Sequence, residues 1–252
     1  MSYVLAISNQ KGGVGKTTTA VNAAAALAEQ GKSVLLVDLD PQGNATSALG
    51  VDKNGDIKTS YDLLLGETSL VDSVQETSVK NLYVLPTNPD LAGAEVELVS
   101  MHGRERKLKE ALNTAAYDYI LIDCPPALGL LTLNALVAAN GVLIPVQTEY
   151  FALEGLGQLL HTIQSVRGSA NPRLEILGVV MTMYDKRTSL SEQVADELKR
   201  HFGDKLFSAV VPRNVRLAEA PSFGKTVFEH DKWSKGARAY KQVAKEIVSR
   251  AK

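Results

Sequence analysis

The composition of this chain excludes several classes of protein. With 252 residues, of which 45% are hydrophobic and 22% charged, the chain can bury a sizeable core and is not intrinsically disordered. Its formal net charge of −1 argues against a polycationic, histone-like protein. The single cysteine, Cys124, excludes a disulfide framework and a cluster that needs several thiolates from one chain, and it predicts a reducing compartment. We therefore expect a cytoplasmic protein in which residues 1–252 form one domain.

The N-terminal segment predicts a strand rather than a targeting sequence. Residues 3–8 are mostly apolar, but polar residues follow at once, with no basic region before the run and no small-residue cleavage site after it. No stretch of the sequence approaches the roughly 18–20 consecutive apolar residues of a membrane span. We expect neither a signal peptide nor a membrane-spanning helix.

Short apolar runs alternate with longer segments of helical periodicity along the chain. This alternation is typical of repeated β–α units around a parallel sheet, and runs of consecutive apolar residues indicate strands buried on both faces. The predicted strands are residues 3–8, 33–38, 82–86, 119–123, 141–147, 176–183 and 207–211. The predicted helices are residues 16–30, 104–116, 130–139, 153–167, 190–201 and 234–250, and residues 50–56 and 86–93 are predicted loops. The predicted fold class is α/β, with a mostly parallel, twisted sheet flanked by helices.

A glycine-rich segment follows the first predicted strand and leads into a helix. Glycines let backbone N–H groups converge on phosphate oxygens, and the helix N-terminus adds positive potential. Lys16 would reach the β- and γ-phosphates, and the Thr17 hydroxyl would ligate Mg²⁺. The usual G-x-x-x-x-G-K-[ST] pattern would need glycine where Gln10 stands, and the loop carries an extra cation, Lys11; the alternative is a glycine-rich turn with a chance lysine. The predicted phosphate loop comprises Lys11, Gly12, Gly13, Val14, Gly15, Lys16, Thr17 and Thr18.

Three aspartates lie at the end of a predicted strand or just after it, at the edge where a parallel sheet binds its ligands. Asp38 and Asp40 follow the second strand, and one carboxylate near a γ-phosphate suffices to orient water for phosphoryl transfer. Asp38 is either a second-shell group for Mg²⁺ or a cap at the strand end. Asp123 ends an apolar strand in Walker B fashion and is predicted to face the Mg²⁺ site; a helix cap is less favoured, because Pro125 and Pro126 block immediate helix entry.

Positive charge is concentrated toward the C-terminus. Residues 213–252 contain ten Lys and Arg against four Asp and Glu, so this segment carries +6 and the rest of the chain −7. Such asymmetry predicts a basic surface that contacts phosphates without reading bases. Trp233 is expected to pack or to lie in an interface, since the sequence has no aromatic ladder of the kind that single-strand binders use.

Four segments together resemble the ParA/Soj branch of the ParA/MinD ATPases, which have a deviant Walker A motif. The segments are NQKGGVGKTT at 9–18, VDLDPQGN at 37–44, IDCPP at 122–126 and PRNVRLAEA at 212–220. The resemblance extends nearly end to end. It implies a mostly parallel sheet flanked by helices, ATP and Mg²⁺ as cofactors, and a face-to-face homodimer of two ATP-loaded subunits.

The resemblance also assigns roles to individual residues. It implies that Lys11 crosses the dimer to the partner's nucleotide phosphates, in the manner of an arginine finger, and that Asp40 assists hydrolysis. Pro212 and Asn214 match a loop used around adenine, although both also favour a plain turn. Arg187 and Arg216 match arginines that bind DNA without sequence preference. Weaker DNA-binding candidates are Lys186, Lys225, Lys232, Lys235 and Arg238.

The function that the resemblance implies is a DNA-partitioning ATPase with slow intrinsic turnover. ATP would drive dimerisation, the dimer would bind double-stranded DNA on the nucleoid, and a ParB-like partner would stimulate hydrolysis. The alternative is a MinD-like regulator of division or of a protein cargo. Because the sequence ends at VSRAK without an amphipathic tail of bulky apolar residues, we expect no stable membrane anchor. An iron–sulfur ATPase lacks the cysteines it needs, and a metabolic ligase lacks a second substrate motif.

Overall fold

One mixed sheet organises the part of the chain that the computed structural model describes, residues 2–149 and 156–251. Within these residues the strands are β1 Tyr3–Ile7, β2 Val34–Asp38, β3 Gln75–Glu76, β4 Leu82–Leu85, β5 Tyr119–Asp123, β6 Gly141–Gln147, β7 Glu175–Tyr184 and β8 Leu206–Pro212. Their order is β3-β4-β2-β5-β1-β6-β7-β8. Only β3 and β4 pair antiparallel; the other neighbouring strands are parallel, so their carboxyl ends meet at one edge.

Helices cover both faces of this sheet. The α-helices of the described residues are α1 Lys16–Glu29, α2 Asn44–Ala48, α3 Ser60–Leu65, α4 Leu70–Ser73, α5 Leu91–Glu97, α6 Lys107–Leu112, α7 Leu130–Ala138, α8 Leu156–Ser169, α9 Ser189–Phe202, α10 Val215–Glu219, α11 Val227–Asp231 and α12 Lys235–Arg250. Short 3₁₀ turns occupy Leu98–Ser100, Gly203–Lys205 and Ala220–Phe223. No helix among the described residues is both long and apolar enough to cross a bilayer.

The central strands are buried on both faces, as the apolar runs predict. Every residue of β2, β5 and β6 is buried. Along β1, Leu5 and Ile7 face the side covered by α1 and α12, whereas Val4 and Ala6 face the side covered by α3 and α5–α9. This alternation follows from the two-residue period of a strand. The α/β fold class with a mostly parallel, flanked sheet is therefore confirmed.

Two buried side chains fasten α1 to the C-terminal part of the chain. On α12, the Tyr240 hydroxyl lies 3.1 Å from the Thr19 hydroxyl of α1. Asn22, also on α1, donates from Nδ2 to the Thr18 carbonyl and accepts the Val227 N–H of α11 at 2.8 Å. The phosphate-loop helix and the basic C-terminal segment thus share hydrogen bonds.

The predicted strands all exist with ends within one residue of the expected ones, but the helix predictions need correction. The helix expected at 104–116 is the shorter α6. The Asn134 side chain of α7 donates to the Arg104 carbonyl at 2.8 Å and accepts the Leu108 N–H at 3.1 Å, so these backbone groups do not bond within a longer helix. The loop expected at 86–93 is wrong for its last three residues, which begin α5. The helix predicted from residue 153 is present from Leu156, and residues 153–155 lie outside the described residues. Residues 50–56 form a loop, as predicted.

Candidate functional site

The glycine-rich loop connects β1 to α1 at the carboxyl edge of the sheet. Gly13 and Gly15 have φ values of 74° and 87°, in the left-handed region that glycine adopts without steric cost. Gly15 is the N-cap of α1 and offers no side-chain cap, so the first N–H groups of the helix are left for a ligand. The predicted loop–helix arrangement is therefore present.

Neighbouring strands hold this loop in place. The Thr182 hydroxyl of β7 donates to the Val14 carbonyl at 2.7 Å. Asn9 donates to the Pro145 carbonyl of β6 at 2.7 Å and accepts the Lys11 N–H at 3.0 Å. These bonds fix the loop backbone before any nucleotide arrives, which is the preorganisation that a phosphate site needs.

The two loop lysines have different surroundings. Lys16 is buried and its Nζ donates to the Lys11 carbonyl at 3.0 Å, so its ammonium lies inside the curve of the loop. Burial lowers the pKa of Lys16, against the opposing effect of the Asp123 charge. Lys11 is only partly buried. The two cations of the loop thus differ in burial, and the ammonium of Lys16 is the one bonded to the loop backbone.

Asp123 is the residue that best fits a metal beside this loop. It ends β5, is fully buried, and neither carboxylate oxygen has a hydrogen-bond partner among the described residues. Burial and the neighbouring Asp38 charge raise the pKa of Asp123 well above its usual range. A buried carboxylate without a donor is costly unless a cation compensates it. Together with the Thr17 hydroxyl, this oxygen donor matches what Mg²⁺ prefers.

Asp38 is engaged with the chain itself. Its Oδ2 accepts the N–H and the hydroxyl of Thr46 on α2 at 2.8 and 2.7 Å, and Oδ1 accepts the Asp40 N–H at 3.1 Å. Burial raises the pKa of Asp38 to about 6, although these hydrogen bonds act in the opposite direction. These contacts fit the strand-end cap, one of the two interpretations left open by the sequence, and the second-shell role for Mg²⁺ stays a prediction.

Asp40 lies over the loop rather than in the sheet. It is partly buried and lines a cavity of about 320 Å³ together with Gly13, Lys16, Thr17 and Pro126. Its Oδ1 accepts the Gln42 N–H at 3.1 Å. The structure therefore brings Asp40, the loop and Pro126 of the segment after β5 around one space.

A second cavity adjoins the loop and contains the residues expected near adenine. It measures about 160 Å³, and Pro212 and Asn214 line it beside Gly15 and Thr18. Asn214 Oδ1 accepts the Arg216 N–H at 3.1 Å and so caps α10, which leaves its Nδ2 donor group for other partners. Asn214 thus both caps a helix and faces the cavity.

Sequence reasoning missed the residues of these cavities that distant elements supply. Thr182 and Met183 come from the end of β7, and Tyr240 comes from α12. Met183 is a non-glycine residue with φ of 51°, a strained conformation of the kind that clusters at functional sites. Residues brought in from distant strands and helices have no local motif that could have revealed them.

The two candidate DNA-binding arginines occupy different surroundings. Arg187 donates to both oxygens of Asp185, which holds the pKa of that carboxyl below its usual range, and its side chain is 84% exposed. A groove of about 560 Å³ is lined by Arg187 with Lys186, Arg213 and Lys235. Arg216 does not line this groove.

Arg216 lies on α10, between two carboxylates. It pairs with Glu219 at 2.9 Å and with Asp231 of α11 at 3.5 Å. Nearby, Trp233 is 77% exposed, so of the two places expected for it packing within the chain is wrong, and a place in an interface stays a prediction. By contrast, Cys124 is buried, and burial raises the pKa of its thiol.

Comparison with known proteins identifies a matching family, similar proteins and a similar solved structure. A family described as AAA domain matches residues 2–176. The chromosome partitioning protein ParA of Caulobacter vibrioides is 54% identical over 251 residues, covering 98% of this chain and 94% of that protein. The chromosome-partitioning ATPase Soj of Thermus thermophilus is 55% identical over 248 residues, covering 98% and 95%. A solved structure of a protein named cobyrinic acid a,c-diamide synthase from Mycobacterium smegmatis, with bound ADP and magnesium, is 41% identical with a TM-score of 0.86, covering 98% and 94%.

These similarities agree with the motifs on which the resemblance was based. Identity above 50% extends over almost the whole of this chain and of the two curated relatives. The solved relative shares the fold over nearly its full length. The chain therefore belongs to the ParA/Soj family of P-loop ATPases with a deviant Walker A motif.

Proposed function

We propose that this chain is a DNA-partitioning ATPase that uses MgATP to switch between a monomer and a DNA-bound homodimer. Nucleotide binding is supported above all by the Asp123 carboxylate, which is buried and has no hydrogen-bond partner among the described residues. It lies beside the loop in which helix N–H groups and Lys16 would bind phosphate. The names of the relatives that are 54–55% identical support partitioning rather than synthesis, the activity named for the 41% relative. The proposed location is the cytoplasm, on the nucleoid.

The nucleotide would lie across the two cavities. Loop N–H groups and Lys16 would bind the phosphates, and the cavity that Pro212 and Asn214 line would hold the adenine. The Thr17 hydroxyl and Asp123 would hold Mg²⁺, which when bound neutralises charge on the phosphates. Asp40 would orient the attacking water.

Dimerisation would complete the site. Lys11 is only partly buried, and it would contact the nucleotide of a second subunit once the two loops face each other. Charge supplied only in the dimer makes hydrolysis depend on assembly. A ParB-like partner would stimulate hydrolysis further and return the chain to the monomer.

The basic residues support non-specific binding to double-stranded DNA. Arg187 lines a groove with other cations, and Arg216 is half-exposed on α10. Contacts to phosphates alone predict an affinity that falls steeply with salt. The logarithm of the binding constant should fall against the logarithm of the salt concentration with a slope of about −0.9 for each phosphate neutralised.

The test is binding of the Asp40→Ala protein to random-sequence double-stranded DNA, with ATP and with ADP, across a salt series. We expect ATP-dependent binding with a steep salt slope, because this variant should trap the ATP-bound dimer. Equal DNA affinity with ATP and ADP would contradict the switch. Dimerisation with ATP but without DNA binding would favour the MinD-like alternative, a regulator positioned on a membrane or on a protein cargo.

A further inference from the structure

Thr46 attaches the loop that carries Asp40 to the sheet. The loop leaves β2 after Asp38 and enters α2, of which Thr46 is the third residue. The side chain is fully buried and therefore reaches neither nucleotide nor solvent. Any effect of Thr46 on the reaction has to pass through the groups that it holds.

The hydrogen bonds of Thr46 join the ends of two strands. Its N–H and its hydroxyl both donate to Asp38 Oδ2, at 2.8 and 2.7 Å. The same hydroxyl oxygen accepts the N–H of Thr87, two residues after β4, at 3.0 Å. All three residues are fully buried, where a hydrogen bond is electrostatically stronger than in water. A single hydroxyl thus links the ends of β2 and β4.

The other oxygen of Asp38 extends this connection to Asp40. Asp38 Oδ1 accepts the Asp40 N–H at 3.1 Å. Beyond it, a turn closes through the Gly43 N–H to the Asp40 carbonyl at 2.8 Å. Gly43 has φ of 64°, in the left-handed region that glycine adopts without steric cost, so the residue type suits this turn. The bonds run without interruption from Thr87 through Thr46 and Asp38 to Asp40.

We infer that Thr46 is a positioning residue for ATP hydrolysis: its hydroxyl fixes the Asp38 carboxylate, which fixes the Asp40 backbone and thereby the place of the Asp40 carboxylate. This inference rests on the proposed function, in which Asp40 orients the attacking water. A displacement of about 1 Å at a reacting group can cost on the order of 100-fold in rate. Loss of this one hydroxyl should therefore slow hydrolysis without weakening the binding of ATP.

The experiment compares Thr46→Val, which keeps the branched shape but loses the hydroxyl, with Thr46→Ser, which keeps the hydroxyl. Hydrolysis is followed in single turnovers with excess protein, and the ATP dissociation constant is measured separately. We expect the valine variant to hydrolyse about 10- to 100-fold more slowly with an ATP affinity unchanged within about two-fold, and the serine variant to stay within about three-fold of the parent rate. Thr77→Val, which removes a hydroxyl bonded to the Leu82 carbonyl at the other end of β4, is the matched control and should keep the parent rate.

Three results would overturn the role of Thr46: a parent rate in Thr46→Val, a serine variant as slow as the valine variant, or a loss of ATP affinity equal to the loss of rate. Asp40→Ala in the same assay separates the two proposals, because a parent rate there removes Asp40 from the chemistry whatever Thr46 does. If Thr46→Val does not fold, Thr46→Ala replaces it. Hydrogen exchange in the unmodified protein is independent of any variant: we expect the Asp40 amide to be protected together with the Thr46 amide, and exchange at the rate of a free loop would overturn the inference.

Discussion

Lys16 and Lys11 lie in one loop but are proposed to act on nucleotides of different subunits. We predict that Lys16→Ala loses ATP binding by about 2–5 kcal/mol, because a buried ammonium that meets phosphate has no substitute in the loop. Lys11→Ala is the matched variant and should keep the ATP affinity of the monomer while losing ATP-dependent dimerisation. Equilibrium ATP binding and sedimentation with ATP would measure the two effects. Normal ATP affinity in Lys16→Ala would contradict the phosphate-loop assignment.

At the scale of single residues, the sequence could reveal those whose role follows from their immediate neighbours along the chain. The loop from Lys11 to Thr18 and the aspartate that ends an apolar strand are recognisable because their neighbours in sequence are also their neighbours in space. Thr182 contacts Val14 across 168 positions of the chain. Such a contact depends on which strands lie side by side, and no local pattern of residue types encodes it.

At the scale of elements, the ends of β2 and β5 place two buried carboxyl groups in register. Asp38 pairs with Asp123 across the strands, and burial raises the pKa of both, that of Asp38 to about 6. A carboxyl pKa that is higher in the folded than in the unfolded chain means that the folded state binds more protons between about pH 4 and 6. Stability from this source is therefore present at low pH and is lost as the pH rises through about 6.

We predict accordingly that the melting temperature of the nucleotide-free protein falls between about pH 5 and 7, on the order of 5 °C. Asp123→Asn should flatten this dependence because it removes one charge of the pair. Asp56→Asn, at an exposed position, should leave it unchanged. Thermal denaturation of the three proteins across pH measures the effect, and a parallel pH profile for Asp123→Asn and the parent would refute it.

Elements also differ in how far the sequence could predict them. The long helices α9 and α12 have apolar periodicity over several turns, α1 is a proline-free run rich in alanine, and the strands have runs of buried residues, so all of these can be predicted from local pattern. Helices α2, α10 and α11 have five residues each, too few for a period. For α2 the Asp38 carboxylate of β2 accepts an early N–H group, whereas α10 and α11 are capped by the residues just before them, Asn214 and Thr226.

At the scale of the whole molecule, charge is separated between the C-terminal segment and the rest of the chain. We predict that Arg216→Glu weakens binding to random double-stranded DNA by at least about ten-fold and reduces the salt slope by about one, while ATP-dependent dimerisation persists. Arg173→Glu makes the same change of charge at an exposed residue near the opposite edge of the sheet and should have little effect. DNA titrations of both variants with ATP give the comparison. An equal loss of DNA affinity in the two variants would mean that only the net charge of the protein decides binding.

Because Cys124 is buried beside the centre of the sheet, its reaction with thiol reagents can report whether the sheet opens there. Only the thiolate reacts with thiol reagents, and here the single thiol of the chain is both inaccessible and held protonated by its surroundings. Reaction therefore requires the sheet to open next to Asp123, and its rate under fast reclosing reports the free energy of that opening. The unmodified chain thus contains its own probe of how firmly a nucleotide closes the edge at which β5 ends.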